Sequence, residues 1–414
     1  MTQGDWRPWR SRRRRATSSE SPAYSCVVDP GSSTLRVLVV EVGGDQAVVW
    51  GWDERSTGNS ASAGAGSLTK GFETALARAE GTAHDRANRW LVTDQMVVGL
   101  PASQLRGWAW PVIQRRTQPE RPVDERELEA LLGRALRLAV NRLREPDERN
   151  WLVLEAVPVA LTVDGRGVTD PVGFRGHEIG ATVFAALAPA ETVQTWQEVA
   201  EALDFATLTL TAAPLALAAS MPELQGVVVD VGGATTDLTW WRSGRPLAVD
   251  SLPMGGVSLT QALLRRWGLP PEKAESLKRA YVAGRLTTEA RAQVLEPMLP
   301  AVRAWLELTE ASLAEMSEKA DEPLPHRLFL CGGGTSMPEI VEAARSLVWS
   351  ERLRFERHPQ LDPLRPTDVT GVFNRTDCGQ GPGDGPALAL AAWAGRQRRP
   401  PDRPAQILSK LCAA

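Results

Sequence analysis

The sequence predicts an α/β protein of two similar halves, each a mixed β-sheet flanked by helices, with an α+β segment inserted into the first. Three observations carry this reading. A strand–turn–strand pattern, Cys26-Val-Val-Asp29-Pro-Gly31-Ser32-Ser33 running into an apolar stretch at 35–42, recurs as Gly226-Val-Val-Val-Asp230-Val-Gly232-Gly233-Ala-Thr235-Thr236-Asp237-Leu. A third apolar run, Leu328-Phe-Leu-Cys, ends in Gly332-Gly333-Gly334, with Thr335 and Ser336 behind it. At 414 residues the chain is too long for one simple core and should form several subdomains.

The elements follow in order from hydrophobic period and turn residues. Strands are expected at 26–28, 35–42 and 47–52, then a Gly/Ser/Ala loop over 56–67, a helix over 70–84 and a strand at 95–100. The inserted segment, 101–182, reads as a strand at 106–113, a helix at 124–143 and strands at 151–158, 161–163 and 178–187. Asp124, with Glu127 three residues later, is the N-cap expected of that helix. A helix at 190–203, a strand at 208–210 and a helix at 214–220 lead to the second turn. Strands at 238–241 and 248–253 precede a helical stretch over 256–320, with apolar spacing at Leu259, Leu263, Leu264 and Trp267. A strand at 327–330, a helix at 338–346, a Pro/Gly-rich loop at 358–386 and an apolar helix at 385–396 complete the pattern.

The two ends read differently. Residues 1–23 are an Arg- and Ser-rich arm, expected to be disordered because it has too few apolar residues to offset the entropy of folding. Residues 397–414 are a basic linker and a short amphipathic tail, with Ile407, Leu408, Leu411 and Cys412 on one helical face. Such a face, beside basic residues, is expected to meet an anionic membrane surface, and the Trp/Arg arm at 6–15 could add a second contact.

Composition narrows the function classes. A net charge of −3 with 23% charged residues gives no reason to expect nucleic acid. The four cysteines are far apart and form no C-x-x-C, which points to a reduced, cytoplasmic protein without disulfides or a zinc knuckle. No apolar run reaches the length of a membrane span, and the N-terminus lacks the apolar core of a signal peptide. Gly64-Ala-Gly66 fails as a dinucleotide fingerprint because position 69 is Thr.

The turns carry the chemistry. Glycine lets the backbone approach a phosphate closely, backbone N–H and Ser or Thr hydroxyl groups donate to its oxygens, and an Asp at a strand end can hold a hydrated cation. One Asp-x-Gly after a strand is usually only a turn. Two of them can grip a triphosphate from opposite sides, and the glycine triplet is left for the nucleoside.

This arrangement resembles the actin-like ATPase superfamily, and further stretches resemble the bacterial cell-division protein FtsA within it. Asp29-Pro-Gly-Ser-Ser-Thr-Leu-Arg36 looks like that family's opening turn, and Val163-Asp-Gly-Arg-Gly-Val-Thr-Asp170-Pro171-Val172-Gly173-Phe-Arg-Gly176 like a segment of its characteristic subdomain. Met254-Gly255-Gly256-Val-Ser-Leu-Thr260 and Ala274-Glu275-Ser-Leu-Lys278 look like the opening of its helical subdomain.

The resemblance implies an actin-like two-lobed fold with duplicated mixed β-sheets flanked by helices, plus an inserted α+β subdomain. The first lobe would take 24–100, 183–225 and 385–396, the inserted subdomain 101–182, the second lobe 226–257 and 325–384, and a nucleotide-capping helical subdomain 258–324. It implies ATP with Mg²⁺ as cofactor. Asp29 and Asp230 would hold the metal through waters, and Gly31, Ser32, Ser33, Gly232, Gly233, Thr235 and Thr236 would cradle the phosphates. Glu275 and Lys278 would face the adenosine, with Gly255, Gly256, Gly332, Gly333, Gly334 and Ser336 completing the site. The implied partners are further copies of the chain, head to tail, a tubulin-like division protein and the inner face of the cell membrane. No catalytic residue is assigned, and any ATPase is at most slow. Two alternatives stay open: a scaffold like the pilus-assembly protein PilM, which shares an inserted domain of this kind, and an actin-fold small-molecule kinase.

Two departures from the family pattern stand out. Pro30 removes a backbone donor at the first turn. Ala213, before Pro214, occupies a position where relatives place an acidic or amide side chain that orients the attacking water.

Overall fold

The structure, a computed structural model, describes residues 23–43, 46–56, 65–144, 150–221, 225–346, 348–397 and 401–413. The basic arm at 1–22 and positions 57–64 of the Gly/Ser/Ala loop lie outside them.

The valine-rich runs form strands as expected. In the first lobe β1 (Ala23–Pro30), β2 (Thr34–Val42) and β3 (Ala47–Ser56) pair antiparallel in sequence, while β4 (Thr93–Leu100) joins β1 in parallel. Further along, β5 (Arg106–Arg115), β6 (Trp151–Val163), β7 (Arg166–Val168) and β8 (Glu178–Pro189) belong to the inserted segment, and β9 (Thr207–Ala212) returns to the first sheet beside β4. The second lobe repeats the plan. Its strands β10 (Gly226–Val231), β11 (Thr236–Arg242) and β12 (Arg245–Leu252) pair antiparallel, and β13 (Arg327–Cys331) and β14 (Gln360–Pro363) add in parallel on the other side. Each lobe therefore orders its five strands 3-2-1-4-5, the duplication read from the sequence. Asp29 opposes Arg36 across the first hairpin as Asp230 opposes Asp237 across the second.

Helices cover the faces that the apolar alternation leaves. Helix α1 (Ala65–Ala87) lays Phe72, Leu76 and Ala79 on the first sheet. A Cβ at Gly51 would stand 2.0 Å from the Ala79 carbonyl oxygen, so only glycine admits so close a helix. In the inserted segment α2 (Glu125–Leu143) buries Leu128, Leu131 and Leu132, and Asp124 caps it, accepting from Glu127 N at 2.9 Å. Next come α3 (Ala190–Ala202) and α4 (Ala213–Ser220). The helical stretch divides into α5 (Gly256–Trp267), α6 (Pro271–Val282), α7 (Thr288–Leu295) and α8 (Leu299–Ala320). Helix α9 (Pro338–Arg345) follows the glycine triplet. Helix α10 (Gly385–Arg396), whose small side chains allow close approach, packs on α4 between the two sheets.

Three features differ from the sequence reading. The stretch 358–386 is not all loop: β14 pairs with β13, and β15 (Val372–Asn374) adds to the edge of the first sheet at β3. Proline and glycine density hid two strands that edge positions tolerate. The inserted strands form no separate sheet, because β5 bonds to β12 through Ala248↔Trp108 and Val249↔Gly107, giving a nine-stranded sheet. The boundary drawn at 182 falls inside β8, which runs unbroken between β5 and β6. The tail, finally, forms α11 (Arg403–Ala413), and its apolar face lies against the inserted segment rather than in solvent.

Candidate functional site

The two Asp-bearing turns meet in the cleft between the lobes. The first is tight: a Cβ at Gly31 would lie 2.9 Å from the Thr34 carbonyl oxygen. Pro30 closes β1 opposite Leu35. Ser32 Oγ reaches across and accepts from Ala234 N at 2.9 Å, and a Cβ at Gly233 would stand 1.8 Å from Ser33 Oγ. The turns are thus in direct contact, and the glycines are what allow it.

Asp29 and Asp230 converge here but differ in electrostatics. Asp29 accepts from Arg36 Nη1 at 3.3 Å, and Arg36 Nε also faces Asp384 at 2.9 Å and Glu54 at 3.6 Å. Burial raises the Asp29 carboxyl and Arg36 opposes the rise. Asp230 has no hydrogen-bond or ion-pair partner among the described residues, and burial, then Asp237 and Asp29, push its carboxyl up to about 7. Gly332, at φ +91°, makes room for it: a Cβ there would stand 2.2 Å from Asp230 Oδ1. A buried carboxyl with Arg36 near but no direct partner among the described residues, beside glycines that keep the backbone bare, fits a cation and phosphate ligand.

The other residues singled out by sequence fall into two groups. Gly255 and Gly256 sit on the second turn, with Gly256 N donating to Gly232 O at 3.1 Å and Val257 N to Gly233 O at 2.8 Å. Lys278 Nζ lies 2.8 Å from each of Gly256 O, Thr260 Oγ1 and Glu275 Oε2. Burial would raise the Glu275 carboxyl, but bonds from Lys278 and Thr260 outweigh it and hold it at about 2. This pair is therefore tied to the second turn and is not a solvated surface contact. Gly333 and Ser336 are exposed and Gly334 half-buried at the end of β13.

Thr236 is placed differently. It is fully buried, donates to Met254 O at 2.8 Å and accepts from Trp305 Nε1 at 2.9 Å. Its only proton is engaged, so it anchors the hairpin to α8. Thr235 bonds to Asp237, which also accepts from Ser251 Oγ at 2.6 Å and Ala102 N at 3.0 Å. Asp237 thereby ties the second turn to the start of the inserted segment. Burial pushes its carboxyl up to about 6.

Sequence reasoning missed Arg36 as a site residue, along with its partners Glu54 and Asp384. The signal for Arg36 was present in the opening motif; its partners come from β3 and the loop before α10, too far along the chain for any local pattern to join them. Glu155 was also missed. From β6 it accepts from Thr211 Oγ1 at 2.8 Å and Ala212 N at 3.2 Å, one residue before Ala213, and burial pushes it up to about 7. A lone acid in the apolar strand Trp151-Leu-Val-Leu-Glu155-Ala-Val was its only mark.

Residues 210–327, from β9 to the start of β13, match the Ppx/GppA phosphatase family. The chain is 26% identical over 174 residues to the cell division protein FtsA of Neisseria meningitidis, covering 41% of each. It is 24% identical over 270 residues to FtsA of Escherichia coli, covering 58% of this chain and 61% of that protein. The matched stretch thus spans about half the length of these curated relatives. Among solved structures, a chain of the PilM-PilN type IV pilus biogenesis complex superposes with a TM-score of 0.63 at 19% identity, covering 91% of this chain and 99% of that one. The fold is actin-like, with two mixed sheets of the same strand order flanked by helices.

Proposed function

We propose that this chain is an ATP- and Mg²⁺-binding scaffold of bacterial cell division. It assembles head to tail and holds a tubulin-like division protein at the inner face of the cytoplasmic membrane. The observation that carries the nucleotide part is Asp230, without a direct hydrogen-bond or ion-pair partner among the described residues, facing a glycine-lined turn across from Asp29 and Ser32. The division part rests on the FtsA relatives.

In this reading Asp230 and Asp29 would hold Mg²⁺, and the metal would supply charge neutralisation of the phosphates when bound. Ser32, Ser33 and the backbone of Gly31, Gly232, Gly233 and Thr235 orient them. Glu275, Lys278, Gly255 and Gly256 form the floor for the nucleoside, with Gly332, Gly333, Gly334 and Ser336 as its wall. Arg36 opposes the rise that burial imposes on the Asp29 carboxyl and holds it in place. The missing side chain at Ala213 leaves the attacking water without its partner, so turnover is slow and binding is the function. The test is titration calorimetry with Mg²⁺·ATP, followed by pull-down from the source bacterium with and without ATP. Loss of binding in Asp230→Ala and capture of a tubulin-like protein support the reading; unchanged affinity in that variant removes the cleft assignment.

A pilus-assembly scaffold is the second reading, favoured by one observation: the apolar face of α11 is engaged by the protein, as a chain that needs no lipid tether would have it. Capture of a PilN-like pilus protein in the same pull-down would select it. A small-molecule kinase has less support, since Arg36 and Asp384 satisfy each other and leave no free base at the first turn.

A further inference from the structure

The tail helix has a single apolar face, and the fold already uses it. Pro404, Ile407, Leu408, Leu411 and Cys412 share one side of α11, with Ile407 and Leu408 5% and 0% exposed in the core shared with the inserted subdomain. The helix rests in the groove between α2 and β6. A Cβ at Gly133 of α2 would stand 3.7 Å from Leu411 Cδ1, and Arg403 Nη1 pairs with Asp170 Oδ2 at 2.9 Å. The opposite side, Arg403, Gln406, Ser409 and Lys410, is exposed, and the sequence just before it carries Arg396, Arg398 and Arg399.

We propose that α11 is a two-position element: docked in the α2/β6 groove it is withheld, and undocked the same face enters an anionic lipid surface. The groove therefore gates membrane attachment. This rests on the membrane-tether reading above and adds its regulation. One face cannot be buried twice, so the two positions exclude each other. A few medium apolar side chains and one surface ion pair hold a whole ordered helix, and opening such an element lies at the low end of local unfolding. Lipid affinity is reduced by the fraction of chains whose tail is free.

The test changes the groove and leaves the helix alone. Gly133→Leu sets a side chain against Leu411 while improving the helix propensity of α2. Asp170→Asn removes the pair with Arg403 but keeps Oδ1 as acceptor for Val172 N, now at 3.0 Å. The full chain and both variants are co-sedimented with vesicles of phosphatidylcholine and phosphatidylglycerol, and with phosphatidylcholine alone; hydrogen exchange of 403–412 without lipid reports docking separately. The expected result is faster exchange and roughly tenfold tighter binding to the anionic vesicles in both variants, with binding lost in Leu408→Asp. Faster exchange with unchanged, measurable vesicle binding overturns the gate and leaves the tether standing. Faster exchange with no vesicle binding by any form overturns the tether, and the gate with it.

Discussion

Asp230 sets the sign of two pH dependences that run in opposite directions. Its carboxyl lies at about 7, as does that of Glu155, with Asp237 at about 6, all raised first by burial. In the unfolded chain these groups ionise near pH 4, so between about pH 4 and 7 the native state holds protons that the unfolded state has lost. Stability from this source is fully present below pH 4 and is lost as pH rises through 7. Melting without nucleotide should therefore be higher at pH 5 than at pH 8, and Asp230→Asn should flatten the profile. Metal-dependent nucleotide binding should behave the other way. It needs Asp230 ionised, so its affinity should fall about tenfold per pH unit below 7, measured by calorimetry at fixed Mg²⁺. Glu155→Gln isolates the second group. It keeps an acceptor for Thr211 and Ala212, so it should match the unmodified protein at pH 5 and exceed it in melting temperature at pH 8. Glu155→Ala should lose about 1–3 kcal/mol at pH 5 by leaving the Ala212 N–H unpaired.

At the scale of elements, the proposed slow turnover rests on what the first residue of α4 lacks. Ala213 opens the helix at the end of β9, and β9 is two strands from β1 in the first sheet. Glu155 reaches the backbone beside it but bonds to Thr211 and Ala212, so it positions the strand end. Restoring a carboxylate with Ala213→Glu should raise steady-state phosphate release by about 10²–10⁴-fold over a slow baseline, with little change in ATP affinity. Fast release by the unmodified protein would show that another group does this work. The same strand ends show what was legible beforehand. The turns at Asp29 and Asp230 were, because a strand that stops at Asp-x-Gly marks its turn locally. So was α2, through Asp124 and its leucine spacing. The engagement of Thr236 by Trp305, the joining of β5 to β12, and the Arg36–Asp384 pair were not. Each depends on residues far apart in the chain, where local pattern carries no information about partners. The tail was half legible: its apolar face was readable, but whether protein or lipid covers it depends on a groove made by other elements.

At the scale of the whole molecule, the inserted subdomain is joined to the second lobe's sheet through β5 and β12 and to the end of α8 through Lys319, whose Nζ lies 4.4 Å from the Trp108 ring centroid. It is also bonded to the first lobe through Glu155. On the proposed reading, a subdomain held by both lobes would follow any change in the cleft on nucleotide binding, which would give the ligand a route to its outer surface. That surface carries Ile113 and Phe174, 63% and 50% exposed, the first between exposed Pro111 and Arg115 on β5 and the second between exposed Gly173 and Arg175 in the loop before β8. A contact between this surface and a different surface of the next copy is heterologous, and unless its rotation closes into a ring it propagates as an open filament. Single exposed apolar residues are common, so the pair needs a functional test. The expectation is that the chain sediments as polymers with Mg²⁺·ATP at high concentration. Ile113→Glu and Phe174→Glu should each weaken polymerisation strongly while leaving ATP affinity unchanged, because neither touches the cleft and a buried unpaired carboxylate at an interface is costly. Arg116, which holds Glu127 at 3.0 and 2.8 Å and Gly176 O at 3.1 Å, keeps this end of the subdomain in shape, so both variants should retain the unmodified melting temperature. If both variants polymerise as well as the unmodified chain, the contact lies elsewhere on the surface. If the unmodified chain stays monomeric with nucleotide on anionic lipid, the filament reading fails altogether.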